Sequence, residues 1–318
     1  MPPWYCDCPG PYEPVAASAQ ILVTPSERAA GLNLLNLASQ DYTFGQQGRP
    51  DTAIEVALQS SGQAAVEGSG AMTEIFANRR TTWSANFANT VSGLQTDAAT
   101  HPIPLRVVMA RNALLWPIGR IPALKQLRVA NVTFAGKPLT CVLVTEAAVI
   151  APAAGRGWRE SEFCMNSAGL LELMSPAPGL AYVYDYSTPL NYAGHTVASA
   201  VTAYIGSSPV LQIHVTRLGP PGAEDLANLN LLRPHAGVLS GPIFVSLHPA
   251  TGASSYQVDQ VAVVHATFDP QGRILDSELL AGDPALLPSA LARVSRIRFR
   301  PGHIELDVYA RVEFAAGQ

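Results

Sequence analysis

Residues 258–268 read VDQVAVVHATF, and residues 304–314 read IELDVYARVEF. In the second stretch Ile304, Leu306, Val308, Ala310, Val312 and Phe314 alternate with Glu305, Asp307, Tyr309, Arg311 and Glu313. Alternation of period two marks a strand with one face buried and one face wet. Between the two stretches the chain turns at Asp269-Pro270-Gln271-Gly272 and resumes a strand over 273–280. Asp283 then caps a helix, and Pro284 stands at its first position, where no backbone donor is needed. Leu287, Leu291, Val294 and Ile297, with Ala290, fall at helical spacing and give one apolar stripe. Arg293, Arg296 and Arg298 lie near the helix C-terminus, where positive charge suits the dipole. Phe299-Arg300-Pro301 closes the helix and a last strand follows. The reading is a small ββαβ unit, three strands with one helix on their inner face.

With DPQGRI at 269–274, ALLPSALARV at 285–294 and FRP at 299–301 in this order, the stretch resembles the C-terminal domain of TonB-type proteins. It departs from that pattern at Ile297, where an aromatic commonly precedes Phe-x-Pro. Residues 224–256 are also longer and richer in Pro and Gly than the pattern has. The resemblance implies a binding module that works outside the bacterial inner membrane. Such a module takes an extended peptide of an envelope protein partner by strand addition.

A chain of 318 residues is long enough for two domains, each with its own core. Hydrophobic residues make up 48% and charged residues 14%, a globular composition. The net charge of −4 comes without a long run of one sign, and the scattered arginines give no nucleic-acid footprint. No apolar run reaches the length of a membrane span. Met1-Pro2-Pro3-Trp4-Tyr5-Cys6 has neither a charged n-region nor an apolar h-region. With the family resemblances, the expectation is a periplasmic or otherwise exported protein whose signal has been removed. Gly219-Pro220-Pro221-Gly222 marks a break. It divides the chain into an N-terminal segment (1–23), a large domain (24–220) and a small one (221–318). A strand over 241–247 can belong to either side of the break.

In the large domain Thr24-Pro25-Ser26-Glu27 is a capping-box pattern that starts a helix. Short strands are expected over 54–59, 71–77, 81–87, 127–134, 138–145, 159–165, 180–186, 197–204 and 210–218. A helix over 104–116, ended by Pro117, interrupts them. Many antiparallel strands with few helices imply a sandwich or a barrel.

Five segments then follow in a telling order: GSGAMTEIFANRRTTWSANF (68–87), ALLWPIG (113–119), LTCVLV (139–144), FCMNSAGLLELM (163–174) and YDYSTPLNYAGHTV (184–197). Their order resembles that of LolA-like lipoprotein carriers. His195 stands where a Lys often occurs in this loop. The resemblance implies a mostly β fold with α (α+β), a curved antiparallel half-barrel wrapped on a few helices, with an apolar cavity for acyl chains. A curved sheet with one helix across its mouth does not close like a full barrel. Its inward residues either meet the helix or leave room for hydrocarbon. Candidate ligand-lining residues are Leu105, Val108, Leu115 and Trp116 from the helix, and Trp83 and Tyr184 from the sheet. The alternative is that these groups fill a core.

Cys141 and Cys164 lie in strand-like runs that would bring them within bridging reach on adjacent strands. A disulfide there would stabilise by about 3 kcal/mol in the chain-entropy model; the alternative is two buried thiols. Cys6-Asp7-Cys8 has no assigned role. No zinc set completes it, because no further His or Cys is near in sequence.

Signatures of catalysis are absent. There is no G-x-S-x-G elbow, no P-loop and no G-x-G-x-x-G, and none of the seven histidines forms an H-x-x-x-H pair. Asp185, Ser187 and His195 crowd together in sequence, but triads are judged by geometry. The expected function is a non-enzymatic envelope binding protein that holds a lipid or other apolar molecule and uses no cofactor or metal. A ligand-free structural scaffold and a hydrolase with an unrecognised site are the alternatives.

Overall fold

The computed structural model describes residues 20–21, 24–40, 50–60, 68–77, 80–89, 95–97, 105–115, 117–118, 126–145, 160–177, 180–205, 208–231, 243–249, 258–269, 271–281, 283–299 and 306–315. In chain order the first elements are β1 (Gln20–Ile21), α1 (Pro25–Gln40), β2 (Thr52–Ser60), β3 (Gly68–Ala77), β4 (Arg80–Asn89), β5 (Gln95–Asp97) and α2 (Leu105–Leu115). Then come β6 (Gln126–Phe134), β7 (Lys137–Thr145), β8 (Ser161–Met165), β9 (Leu171–Ala177) and β10 (Leu180–Asp185). The hairpin β11 (Leu190–Tyr192) and β12 (His195–Val197) precedes β13 (Ala200–Ile205) and β14 (Ser208–Gly219).

Twelve of these strands form one sheet in the order β1-β6-β7-β8-β9-β10-β13-β14-β2-β3-β4-β5. Every pairing in it is antiparallel. β1 and β5 stand at opposite edges and are not bonded to each other, so the sheet is open.

Local chemistry sets the elements. α1 starts with a reciprocal box: the Glu27 backbone N–H donates to Thr24 Oγ1 at 3.2 Å, and the Thr24 N–H donates to Glu27 Oε2 at 2.9 Å. The turn from β6 to β7 is Ala135-Gly136 with φ of 48° and 79°, the left-handed pair that a two-residue hairpin requires.

One face of the sheet is apolar. Ile54, Val56 and Leu58, Val142 and Val144, and Tyr182 and Tyr184 belong to a single buried cluster with Leu35 and Ala38 of α1 and Ala110, Ala113, Leu114 and Leu115 of α2. α1 touches β6, β7 and β8, whereas α2 touches β14 and β2. The opposite face is buried in places too. There α3 (Ala223–Leu231) touches β3 and β4, and its Asp225 accepts two hydrogen bonds from Arg217 of β14 at 2.9 and 2.8 Å. The guanidinium, the Gly222 N–H and the charge of Arg217 outweigh burial and hold the Asp225 carboxyl below its ordinary range.

The remaining elements are β15 (Ile243–Leu247), β16 (Val258–Phe268), β17 (Ile274–Ala281), a 3-10 turn (Pro284–Leu286), α4 (Leu287–Val294) and β18 (Leu306–Ala315). Their sheet order is β15-β18-β16-β17, with β15 parallel to β18 and the other pairs antiparallel. The strand expected over 241–247 therefore joins the small sheet. Asp283 caps the turn by accepting from the Ala285 N–H at 2.9 Å, with Pro284 next to it. The helical stripe, led by Ala290 and Val294, packs on Val264, Phe268, Val308 and Val312.

The other face of this small sheet is not wet, contrary to its alternating pattern. Tyr309 is fully buried and Glu313 nearly so. Val263 and Tyr309 belong to the core cluster of the large sheet, and the His265 and Tyr309 rings lie 4.8 Å apart. The reason is that an unrelated surface covers this face. A tyrosine or a histidine can be buried there without breaking the polar-looking alternation.

The β16–β17 turn is locked by one carboxylate. The Gly272 N–H donates to the Asp269 carbonyl at 2.9 Å, with Gly272 at φ 83°. Asp269 Oδ1 accepts from the N–H groups of Gln271 (2.9 Å) and Arg273 (2.8 Å), and Oδ2 accepts from Arg273 Nε (2.6 Å). Burial pushes this carboxyl up, but the Arg273 and Gln271 donors outweigh it and hold it below its ordinary value. A lowered native pKa adds stability that is complete above the unfolded value and is lost as pH falls through the native one. Asp269→Ala is expected to cost on the order of 1 kcal/mol at neutral pH. In urea unfolding the gap between variant and wild type should narrow below about pH 4.

Candidate functional site

α2 reads LRVVMARNALL and has no acidic residue in its first turn and no basic residue in its last. Its C-terminal half is seated on the apolar face: Ala110, Ala113, Leu114 and Leu115 are all at most 1% exposed. Two polar ties hold it there. Tyr184 of β10 donates its hydroxyl to the Ala113 carbonyl at 2.8 Å. That carbonyl is among the last of the helix, which have no intrahelical donor. Arg111 donates from Nε and Nη2 to the two oxygens of Glu74 on β3, both at 2.6 Å. In the sheet β13, β14 and β2 lie between β10 and β3, so the helix is fastened to strands on either side of those it touches.

The surroundings of the ties are hydrocarbon. Ile54, Met72, Phe76, Leu114, Leu115 and Ile213 belong to the same buried cluster. Burial, with the neighbouring Tyr186 and Tyr182, pushes the Tyr184 phenol well above its ordinary range, so it stays a neutral donor. Burial also pushes the Glu74 carboxyl up, while the Arg111 guanidinium pulls it back down.

Of the residues expected to line a cavity, Leu115 and Tyr184 are brought into this one cluster. Tyr184 does more than supply apolar surface, because its hydroxyl caps the helix end. Trp83 lies in β4 as the register partner of Glu74. Leu105 and Val108 lie in the first turns of α2. Trp116 lies outside the described residues, as do Cys6 and Cys8. The Glu74–Arg111 pair escaped the sequence reading. Its signal was present: Glu74 interrupts the alternate apolar positions Met72 and Phe76, and Arg111 interrupts an apolar helical run.

Cys141 and Cys164 are directly opposite on β7 and β8, with sulfurs 2.01 Å apart. Glu162 brings a carboxylate close to both sulfurs, the one group of possible metal ligands among the described residues. Sulfurs bonded to each other offer no thiolate to an ion. Close by, Arg128 makes a bidentate pair with Glu160 at 2.9 and 2.6 Å, both side chains 1% exposed. Asp185 spends its carboxylate on the Ser187 N–H at 2.8 Å, a turn-forming bond that lowers its pKa. His195 sits in the β11–β12 hairpin opposite Tyr192.

No family model matches the chain, and no curated protein matches it. Among solved structures it is similar to a DUF1329 family protein from Desulfovibrio piger, at 8% identity over 61% of this chain and 93% of that one, with a TM-score of 0.37. A domain named for an outer membrane lipoprotein-sorting protein from Vibrio parahaemolyticus matches at 9% identity, 63% and 97% coverage and a TM-score of 0.30. A LolA superfamily protein from Nitrosomonas europaea matches at 11% identity, 62% and 96% coverage and a TM-score of 0.25. These likenesses are distant, and the fold stands on the chain's own strand order.

Removing one partner of a buried ion pair leaves the other charge uncompensated. Arg111→Met alone is therefore expected to cost about 3–5 kcal/mol in urea unfolding. The double variant Glu74→Met/Arg111→Met should recover most of that loss. Additive costs of the two single changes would show that the pair is not coupled.

Proposed function

We propose that the chain is a non-enzymatic, exported binding protein of the bacterial envelope. Its large unit (24–220) is a half-barrel wrapped on α1 and α2, and it holds a lipid or another apolar molecule against α2. The observation that carries this reading is an open sheet whose apolar face is covered by helices rather than by a second sheet. A helix held by a few polar ties can yield to a ligand without breaking the strand ladder. The order of the LolA-like segments supports it, as does the Cys141–Cys164 pairing, since disulfides persist outside the cytosol. In this reading Trp83, Leu105, Val108, Leu115, Trp116 and Tyr184 line the chamber. The small TonB-like ββαβ unit (221–318) docks on a partner by strand addition. β17, an edge of its sheet that carries the exposed Leu275, is the strand such a peptide would join.

The complete burial of Ala110 and Ala113–Leu115 also favours a second reading, a scaffold with a filled core. Lipid extraction and mass spectrometry of protein purified from its native envelope separate the two. A co-purifying acyl compound is expected. Saturable binding of a fluorescent fatty-acid probe should weaken several-fold in Trp116→Ala, since each buried methylene contributes about 0.8 kcal/mol. Absence of both lipid and saturable binding replaces the carrier with the scaffold.

A further inference from the structure

The Glu74–Arg111 pair is expensive where it sits. Taking two ions out of water costs several kcal/mol each, and a well-packed apolar pair of similar volume would fasten the helix at least as well. The hydroxyl of Tyr184 already ties the other side of α2. Among the described residues the other fully buried pair, Arg128–Glu160, lies on the opposite face of the sheet, as does the partly exposed Arg217–Asp225 pair. This one alone among them faces the apolar cluster that the carrier reading assigns to the ligand.

Its geometry is that of headgroup recognition. A planar guanidinium presents two parallel N–H groups, and a carboxylate accepts both, each bond at 2.6 Å. Any other carboxylate that reached the fork would be held in the same way. We propose that Arg111 anchors the head of a long-chain carboxylate, and that the Glu74 side chain occupies that place when no ligand is bound. The inference rests on the carrier reading and narrows its ligand from any apolar molecule to a fatty-acid-like one.

The exchange balances. A fatty acid enters the chamber in its neutral form, passes its carboxyl proton to the Glu74 carboxylate, and takes over both Arg111 hydrogen bonds as the anion. One proton moves from the ligand oxygen to a Glu74 oxygen, no other covalent bond changes, and the interior keeps its net charge. Burial, which already favours the neutral form of Glu74, helps it to accept that proton. The acyl chain then lies among the apolar residues around the helix, where each methylene adds to binding.

The test uses the full chain and an uncharged reporter, N-phenyl-1-naphthylamine, displaced by laurate or by methyl laurate. The ester is the more apolar of the two, so hydrophobic burial alone ranks it first. The proposal expects the reverse in wild type, with laurate effective at a concentration on the order of tenfold lower, the scale of one charge-assisted bond. Glu74→Gln, which frees the fork of its internal carboxylate, should tighten laurate by a larger factor than methyl laurate, widening the preference for the acid. Saturable reporter binding with methyl laurate equal to or better than laurate overturns the anchor and leaves the carrier standing. Failure of the reporter and of both lipids to bind overturns the two together. Should Glu74→Gln fail to fold by circular dichroism, the wild-type ranking of acid over ester decides alone.

Discussion

An antiparallel sheet that does not close on itself leaves a whole apolar face in need of cover, and this constraint organises the large unit. In a closed barrel, the inward side chains meet those of the opposite wall. Here the ladder ends at β1 on one side and β5 on the other, and the inward rows meet helices instead. α1 serves β6 to β8, and α2 serves β14 and β2. The strands are held by their own backbone bonds. The helices are held by side chains, apolar contact for the most part and a few directed polar bonds. The joints between helices and sheet therefore depend on side chains, and the one at α2 carries the Tyr184 and Glu74–Arg111 ties.

The same logic explains the C-terminal unit. Its sheet of four strands has α4 on one face, and a sheet this small gains from burying the other. Val263 and Tyr309 do so by entering the core of the large sheet. A polar network secures the far end: Arg293 of α4 donates to the Glu313 and His248 carbonyls, and its guanidinium lies 5.5 Å from the Phe314 ring centroid. The Glu313 carboxylate meets both His248 and Arg311. α4, β15 and β18 are thus joined by polar as well as apolar contacts. Among the described residues the edges β15 and β17 keep one unpaired side each in the sheet order.

Much of this was legible in the sequence. The ββαβ order, the Asp283 cap, the capping box at Thr24 and Glu27, and the 104–116 helix all rest on local rules, and local rules survive folding. What escaped depends on distant partners. Tyr309 sits in an alternating pattern that reads as wet, and only the arrival of the large unit buries it. β9 contains Pro176 and lacks a β-branched residue, so no strand signal marks it, yet pairing with β8 and β10 holds it in the sheet. The stretch 197–204 reads as one strand, but it divides between β12 and β13, where Ser199 bonds to the Asp185 carbonyl. The candidate site was legible only as a list of large apolar residues. The charges of Glu74 and Arg111 stood out in their apolar runs, but the site's two directed interactions join residues 71 and 37 positions apart, and spacing at that range does not say which residue meets which.

The two ties on α2 differ in kind, and the difference separates support from recognition. Tyr184 donates to a backbone carbonyl, which every sequence would present at that point of a helix. Its neutral phenol is held in that state by burial, and no side chain on α2 is needed for it. The bond fixes where the helix ends without specifying what lies beside it. Arg111 and Glu74 exert opposite charges in a medium that tolerates neither alone. Such a pair stores a demand, since separating the two requires that each find a new partner. An apolar scaffold has no use for that demand. A chamber that must tell an acid from a neutral hydrocarbon does, because the carboxylate of Glu74 sets the affinity any incoming head must exceed. Under the proposed anchoring by Arg111, selectivity resides in a competition inside the protein, and the depth of the apolar face decides only how long a chain can follow the head in.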